Sequence, residues 1–362
     1  METAMSGWPD RRILDLFGID LPIIQGPMAG ATTPEMVIAV SEAGGLGSLP
    51  CAQYNLTQAR EALASIRRAT SKPINLNFFC HRPPEPDPAR MMAWRARLAP
   101  YYVELGLDPE APIPAGGRTP FDAEFCAFVE EVRPEVVSFH FGLPEQALLA
   151  RIKATGAKII SSATTVAEAR WLEAHGCDAI IAMGFEAGGH RGTFLSEDMA
   201  RQIGTFALVP QVVDAVALPV IAAGGIADAR GIIAAFALGA AAVQIGTAYL
   251  FCPEAKISAP HRQALASVSD EDTAVTNLFT GRPARGIMNR LMREIGPISP
   301  LAPSFPLAGG ALAPLRAKTE PEGSGDFANL WAGQAARLGR ERPAGELTRA
   351  LGAQALEKLA AS

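Results

Sequence analysis

No CxxC pair occurs in this chain, and its five cysteines, Cys51, Cys80, Cys126, Cys177 and Cys252, lie far apart along it. The count is odd, so a disulfide framework is not indicated and reduced thiols in a cytoplasmic protein are expected. The first twenty residues, METAMSGWPDRRILDLFGID, lack the apolar run of a secretory leader. Basic excess is also absent. Thirty-two Lys and Arg against 37 Asp and Glu give a formal charge of -5, which argues against a nucleic-acid partner. No GxSxG is present, so a serine nucleophile elbow is not indicated, and no GxGxxG opens a dinucleotide-binding unit. Charge is missing from Gly231 to Cys252, 22 residues long enough to raise a membrane span. Gly239, Gln244 and Gly246 interrupt that stretch. It divides into a buried helix, GIIAAFAL, and a buried strand, AAVQIGTAYL, and no membrane association is expected.

What is present is a rhythm. Of 362 residues, 49 % are apolar, enough for a large core, and 34 glycines and 29 prolines imply many tight turns. Eight short apolar runs recur: LPIIQGPM (21–28), GLGSLP (45–50), PINLNFF (73–79), VVSFHFG (136–142), KIISSAT (158–164), DAIIAMG (178–184), LPVIAAGG (218–225) and AAVQIGT (241–247). Helix-like segments separate most of them. Thr33 caps one, with Pro34 at its first position, and Thr165 and Glu168 are spaced as a capping box for another. Gly44, Gly156, Gly176 and Gly239 stand where helices should end. Continuous rather than alternating apolar runs are the pattern of strands buried on both faces. Eight of them with crossover helices predict an α/β fold, a (β/α)₈ TIM barrel; a doubly wound sheet is the runner-up.

The barrel is expected over residues 11–252, with a Pro-rich insertion at 80–120 that holds nine prolines and forms a long loop with short helices. Residues 253–362 are expected to be a helical extension on or near the barrel mouth. Its helix-like stretches run near 260–294, 326–340 and 344–360. A monomer or homodimer is expected.

In such a barrel the strand ends and the loops after them build the site. The first strand ends in Met28, Ala29 and Gly30, which either let backbone approach something flat or simply make a tight turn. Asn77 is an amide within an apolar run, and it either caps the rim or holds a ligand edge. Gly224 and Gly225 end the seventh strand; Gly246 and Thr247 end the eighth. Those two slots often cradle phosphate through backbone N–H groups, and turn-making is the alternative. After the sixth strand comes AMGFEAGGHRGTF, in which Gly188 and Gly189 bring His190 to the mouth. An imidazole there is a base, a hydrogen-bond donor or a capping residue. A metal is not expected: of the other histidines, His81, His140, His175 and His261, only His140 lies near, and no carboxylate completes a ligand set. Among the cysteines only Cys80 stands near a strand end.

These stretches resemble the nitronate monooxygenases, formerly called 2-nitropropane dioxygenases, and their class I members in particular. The resemblance rests on PIIQGPMAGATTPEMVIAVSEAGGLGSL (22–49), INLNFF (74–79), VVSFHFGLP (136–144), TTVAEARWLEAHGCDAI (164–180), EAGGHRG (186–192), LPVIAAGGIADARGIIAAFALGAAAVQIGTAYL (218–250) and TGRPARG (280–286). It implies a non-covalent FMN at the mouth, with His190 as the active-site base. It implies FMN contacts at Met28, Ala29, Gly30, Asn77, Met183, Gly188, Gly189, Gly224, Gly225, Gln244, Gly246 and Thr247. Met183 stands where the family has a glutamine, and Phe185 where it has a small residue. His140 stands where threonine is common, and ALAPLR (311–316) where a Lys-Pro pair is frequent. His140 and Phe185 are therefore expected in the substrate pocket. The implied activity is oxidation of alkyl nitronates, propionate 3-nitronate above all, by O₂ to a carbonyl compound with nitrite or nitrate released. The alternatives are an NAD(P)H-dependent flavin reductase of quinones or enoyl thioesters, and a non-enzymatic FMN-binding protein.

Overall fold

A computed structural model describes residues 7–85, 87–113 and 118–361. The strands, in chain order, are β1 (Ile23–Gln25), β2 (Gly47–Pro50), β3 (Ile74–Phe79), β4 (Val136–His140), β5 (Lys158–Ala163), β6 (Ala179–Met183), β7 (Gly189–His190), β8 (Val220–Ala223), β9 (Ala242–Ile245), β10 (Thr273–Thr276) and β11 (Ala284–Ile287). Eight of them form one parallel sheet in the order β1-β9-β8-β6-β5-β4-β3-β2. The ring closes at Leu46, just before β2. Its N–H donates to the Ile23 carbonyl at 2.9 Å, and the Gln25 N–H donates back to the Leu46 carbonyl at 2.9 Å. The fold is a (β/α)₈ barrel. Every residue of β1, β2, β3 and β6 is buried, as strands with helices outside and packed side chains inside require.

Local chemistry sets the helix boundaries. The Thr33 hydroxyl accepts the Met36 N–H at 3.2 Å, with Pro34 opening the helix Pro34–Glu42. Gly44, Gly156, Gly176 and Gly239 all have positive φ, the left-handed exit that glycine reaches without strain. The expected capping box at Thr165 is only half formed. Thr165 accepts the Glu168 N–H, but the Glu168 carboxylate turns to the Thr164 N–H and hydroxyl, at 2.7 Å each, and to the Phe194 N–H at 2.8 Å. A buried carboxylate offered three strong donors leaves the cap for them. The uncharged stretch after Gly231 splits as expected, into the helix Ala229–Ala237 and β9. No helix among the described residues is long and apolar enough to cross a membrane.

The tail differs from its expected helical form. The stretch near 260–294 is a helix, Ala259–Ser267, then β10 and β11, then a short helix, Arg290–Ile295. β11 pairs antiparallel with both β10 and β7, so a three-stranded sheet ties the tail to the loop that carries His190. The stretch 326–340 is mostly irregular, with one 3₁₀ turn at Ala336–Leu338. The last helix, Ala344–Ala361, packs on the helices Pro34–Glu42 and Ala229–Ala237, on the barrel flank rather than over the mouth. The insertion is more ordered than its prolines imply. It holds a 17-residue helix, Pro88–Glu104, whose Trp94 indole donates to the Ala308 carbonyl at 3.1 Å and whose Tyr102 hydroxyl donates to the Ala311 carbonyl at 2.6 Å. Trp94, Leu98 and Tyr101 share a second apolar cluster with Leu278, Leu315 and Phe327. The insertion and the 278–327 part of the tail thus form one packed body.

Candidate active site

A cavity of about 440 Å³ opens where the barrel strands end. That size suits a small organic ligand or cofactor. Met28, Ala29, Gly30, Asn77, His140, Met183, Gly188, Gly189, His190, Gly224, Gly225, Gln244, Gly246 and Thr247 all line it. Phe185, expected in the substrate pocket, does not. Its ring lies between two guanidinium groups, 5.6 Å from that of Arg191 and 4.8 Å from that of Arg285. The cause is Arg191, fully buried, which donates to the Gly184 carbonyl at 2.6 Å, the Met183 carbonyl at 2.9 Å and Gln202 Oε1 at 2.8 Å. Arg285 donates to the Phe185 carbonyl at 3.1 Å. Two arginines pin the end of β6 and draw the aromatic ring to themselves, away from the cavity.

His190 is held from both sides. Gly189 adopts a φ of 71°, and His190 pairs with Ala284 of β11. Its Nε2 lies 2.9 Å from the Thr280 hydroxyl, which is itself 3.4 Å from the Arg282 carbonyl. A carbonyl only accepts, so the proton order runs from His190 Nε2–H to Thr280 to Arg282, which leaves Nδ1 as an acceptor. Four rings surround the imidazole: Phe305 at 5.3 Å, Trp331 at 5.6 Å, Phe141 at 6.0 Å and Phe79 at 6.1 Å between centroids. Burial is the largest influence on its pKa and drives it well below the ordinary histidine value; Arg118, His140, Arg282 and His81 push the same way.

His140 lines the cavity, but its nitrogens are committed to the protein. Nε2 lies 3.1 Å from the His190 carbonyl, so it carries the proton, and Nδ1 accepts from the Ser162 hydroxyl at 2.7 Å. Burial lowers its pKa to about 3, so it stays neutral. His140 therefore positions the His190 backbone. His175 is remote, stacked on Trp171 at 3.8 Å at a helix end.

The other side of the cavity is built from glycine turns. Gly224 and Gly225 have φ of 104° and 72°, a backbone form that turns successive N–H groups to one side. Among the described residues the N–H groups of Gly225 and Gly246 meet no protein acceptor. A Cβ on Gly246 would touch only the Met28 sulfur, at 3.8 Å, so the cradle there is open. In β9, two residues before Gly246, Gln244 Oε1 is buried with no hydrogen-bond partner. A buried amide oxygen without a donor is costly, and a ligand N–H would satisfy it. Asn77 Nδ2 is already used, by the Ser138 hydroxyl at 2.9 Å. Phosphate cradle, orphaned acceptor and apolar wall fit a flavin mononucleotide. Glu186, in the same loop as His190, accepts the Thr205 N–H at 2.8 Å and its hydroxyl at 2.9 Å, so its carboxylate is occupied. No group of three or more His, Cys, Asp or Glu among the described residues is placed to hold a metal. Burial raises the Cys80 thiol well above its ordinary pKa, which disfavours the thiolate.

Several lining residues have no local sequence signal. Arg118 comes from the insertion, and Arg316, Glu320 and Trp331 from the tail. Thr280 and Arg282 lie within TGRPARG, a stretch recognisable by resemblance but not by spacing. Only the shared packing of insertion and tail brings these residues to the mouth.

The family described as nitronate monooxygenase matches residues 10–354. The chain is 44 % identical to the nitronate monooxygenase of Pseudomonas aeruginosa over 346 residues, 94 % of this chain and 97 % of that protein. It is also 44 % identical to that of Paraburkholderia phytofirmans over 341 residues, 93 % of each. The solved nitroalkane oxidase of Streptomyces ansochromogenes superposes with a TM-score of 0.87 at 38 % identity, covering 97 % of this chain and 100 % of that one. FabK from Thermotoga maritima superposes with a TM-score of 0.73 at 30 % identity, covering 97 % of each.

Proposed function

Because the chain belongs to the nitronate monooxygenase family, an enzyme family, we propose that it binds FMN and oxidises alkyl nitronates with O₂. Propionate 3-nitronate is the substrate this reading favours, and the products are a carbonyl compound with nitrite or nitrate. The observation that carries the reading is one cavity with two unlike sides. Gln244 Oε1 stands unpartnered among glycine turns on one side, and His190 stands in an aromatic box on the other. Gly224, Gly225, Gly246 and Thr247 would hold the phosphate. Gln244 would accept a ring N–H, and Met28, Ala29, Gly30, Asn77, Met183, Gly188 and Gly189 would wall the ring system. Bound FMN supplies the electron acceptor for the nitronate.

The chain's own residues orient and exclude. Phe79, Phe141, Phe305 and Trp331 keep water from His190, which strengthens any charge interaction beside it. With Nε2–H given to Thr280, Nδ1 is the atom that takes the α-proton of a neutral nitroalkane. An anionic substrate beside the ring raises its proton affinity and offsets the arginines that lower it. A nitronate already carries its charge and needs no base.

The test uses the purified protein. Heat-released cofactor is identified by mass, and the holoenzyme is mixed anaerobically with propionate 3-nitronate or with NADH. FMN, bleached faster by the nitronate, is the expected result. A protein that takes up no flavin, or whose flavin NADH bleaches faster, contradicts the reading; the second outcome favours a reductase.

A further inference from the structure

We propose that Arg118, with Arg316 beside it, forms an anion subsite at the His190 end of the cavity that receives a carboxylate on the nitronate's alkyl chain. The inference rests on the nitronate reading and makes it specific to dianionic substrates.

Arg118 lines the cavity with its guanidinium 5.6 Å from the centre of the Phe79 ring. Phe79 in turn lies edge-on to His190. The guanidinium therefore sits across one aromatic ring from the imidazole. Among the described residues no carboxylate lies within ion-pair distance of Arg118, which is half-buried. The charged group beside it is a like charge, Arg316, which also lines the cavity. Arg316 has one acid, Glu320, and their separation of 3.8 Å leaves its buried Nε without a hydrogen bond. Of the two guanidinium groups, only that of Arg316 has a carboxylate, and that one is loosely placed. A half-buried, unpaired guanidinium that lines a cavity beside a like charge favours an anionic ligand there. Its planar fork matches a carboxylate in two parallel hydrogen bonds. Glu186, the other acid lining the cavity, is engaged by Thr205 and does not neutralise this end.

A nitronate with a carboxylate two carbons away presents two planar anions. Succinate has the same layout without a reactive group, and butyrate keeps the chain length but only one charge. The experiment measures calorimetric binding of succinate and butyrate to the flavin-loaded wild type, R118Q and R118K. It also compares kcat/KM for propionate 3-nitronate and propyl-1-nitronate. The wild type is expected to prefer succinate by about 10-fold or more, R118Q to lose that preference, and R118K to recover part of it. The ratio of kcat/KM values, carboxylated over uncharged chain, should fall about 10- to 100-fold in R118Q, mainly through KM. If R118Q does not fold, R118K and R316Q carry the same comparison with smaller losses. Succinate affinity that R118Q leaves unchanged overturns the subsite, as does an unchanged kcat/KM ratio in the variants. A wild type that binds succinate selectively but oxidises neither nitronate keeps the subsite and overturns the nitronate reading.

Discussion

On the proposed reading, His190 is the base of this site. Burial and the nearby Arg118 and Arg282 hold its pKa well below the ordinary histidine value, which favours the base form at neutral pH. Turnover of a neutral nitroalkane should therefore show no step at the ordinary histidine value. The rate should be lost only at lower pH, as the ring is protonated at its depressed pKa. His190→Asn keeps size and some hydrogen bonding but cannot take a proton at neutral pH. It should slow neutral nitroalkanes by roughly 10²–10⁴-fold relative to the wild type, and pre-formed nitronates far less. The ratio of kcat/KM for the two substrate forms is the readout. Equal losses would leave His190 as an orienting donor, and no loss would make it a turn residue. Two glycines before a histidine at the end of a strand were enough to single it out. Thr280, which fixes its tautomer, and Trp331, which covers it, were not legible by spacing, since each reaches it from about 90 and 141 positions away in the chain. Phe185 was misplaced for a related reason: the arginines that hold its ring are one local and one distant, and only folding brings both to it.

Strand ends and their glycines carry the cofactor argument. Gly224 combines a φ of 104° with a Cβ position 3.0 Å from the Ala187 nitrogen, so any side chain there strains the fold. Gly246 has a φ of -105° and open space, so it separates phosphate binding from folding. Gly246→Asp should weaken FMN binding by at least 10-fold through charge repulsion, while Gly246→Ala changes it much less and both keep the wild-type melting temperature of the flavin-free protein. Titration of FMN by flavin fluorescence beside thermal melting checks this. Unchanged affinity in the aspartate variant would place the phosphate elsewhere. The eight barrel strands were legible because each is buried on both faces and so reads as an apolar run. β10 and β11 were not. Their four-residue segments, TAVT and ARGI, are defined by pairing with each other and with β7 rather than by their own periodicity. The stretch 326–340 misled in the same way. Its Gln334 N–H goes to the Glu186 carbonyl at 3.0 Å and its Leu330 carbonyl to the Ile287 N–H at 2.8 Å, bonds that a helix would have kept to itself.

At the scale of the whole molecule, a barrel supplies the floor of the cavity and a second body of insertion and tail supplies its far wall. The floor holds the glycine turns and Gln244; the wall brings Arg118, Arg316 and Trp331. The joint packing of two segments some 200 residues apart was not legible in the sequence, because it depends on contacts such as Trp94 to Ala308. On the proposed reading the flavin lies on the floor of the assembled cavity and the nitronate it oxidises lies against the wall. Oxygen consumption and nitrite release, followed together in one vessel with FMN-loaded protein and propionate 3-nitronate, test it most directly. The account predicts that both begin on addition of the nitronate, scale with enzyme and stop when the nitronate is exhausted. A flavin-loaded protein that consumes no oxygen and releases neither nitrite nor nitrate from this substrate or from a simple alkyl nitronate would contradict it.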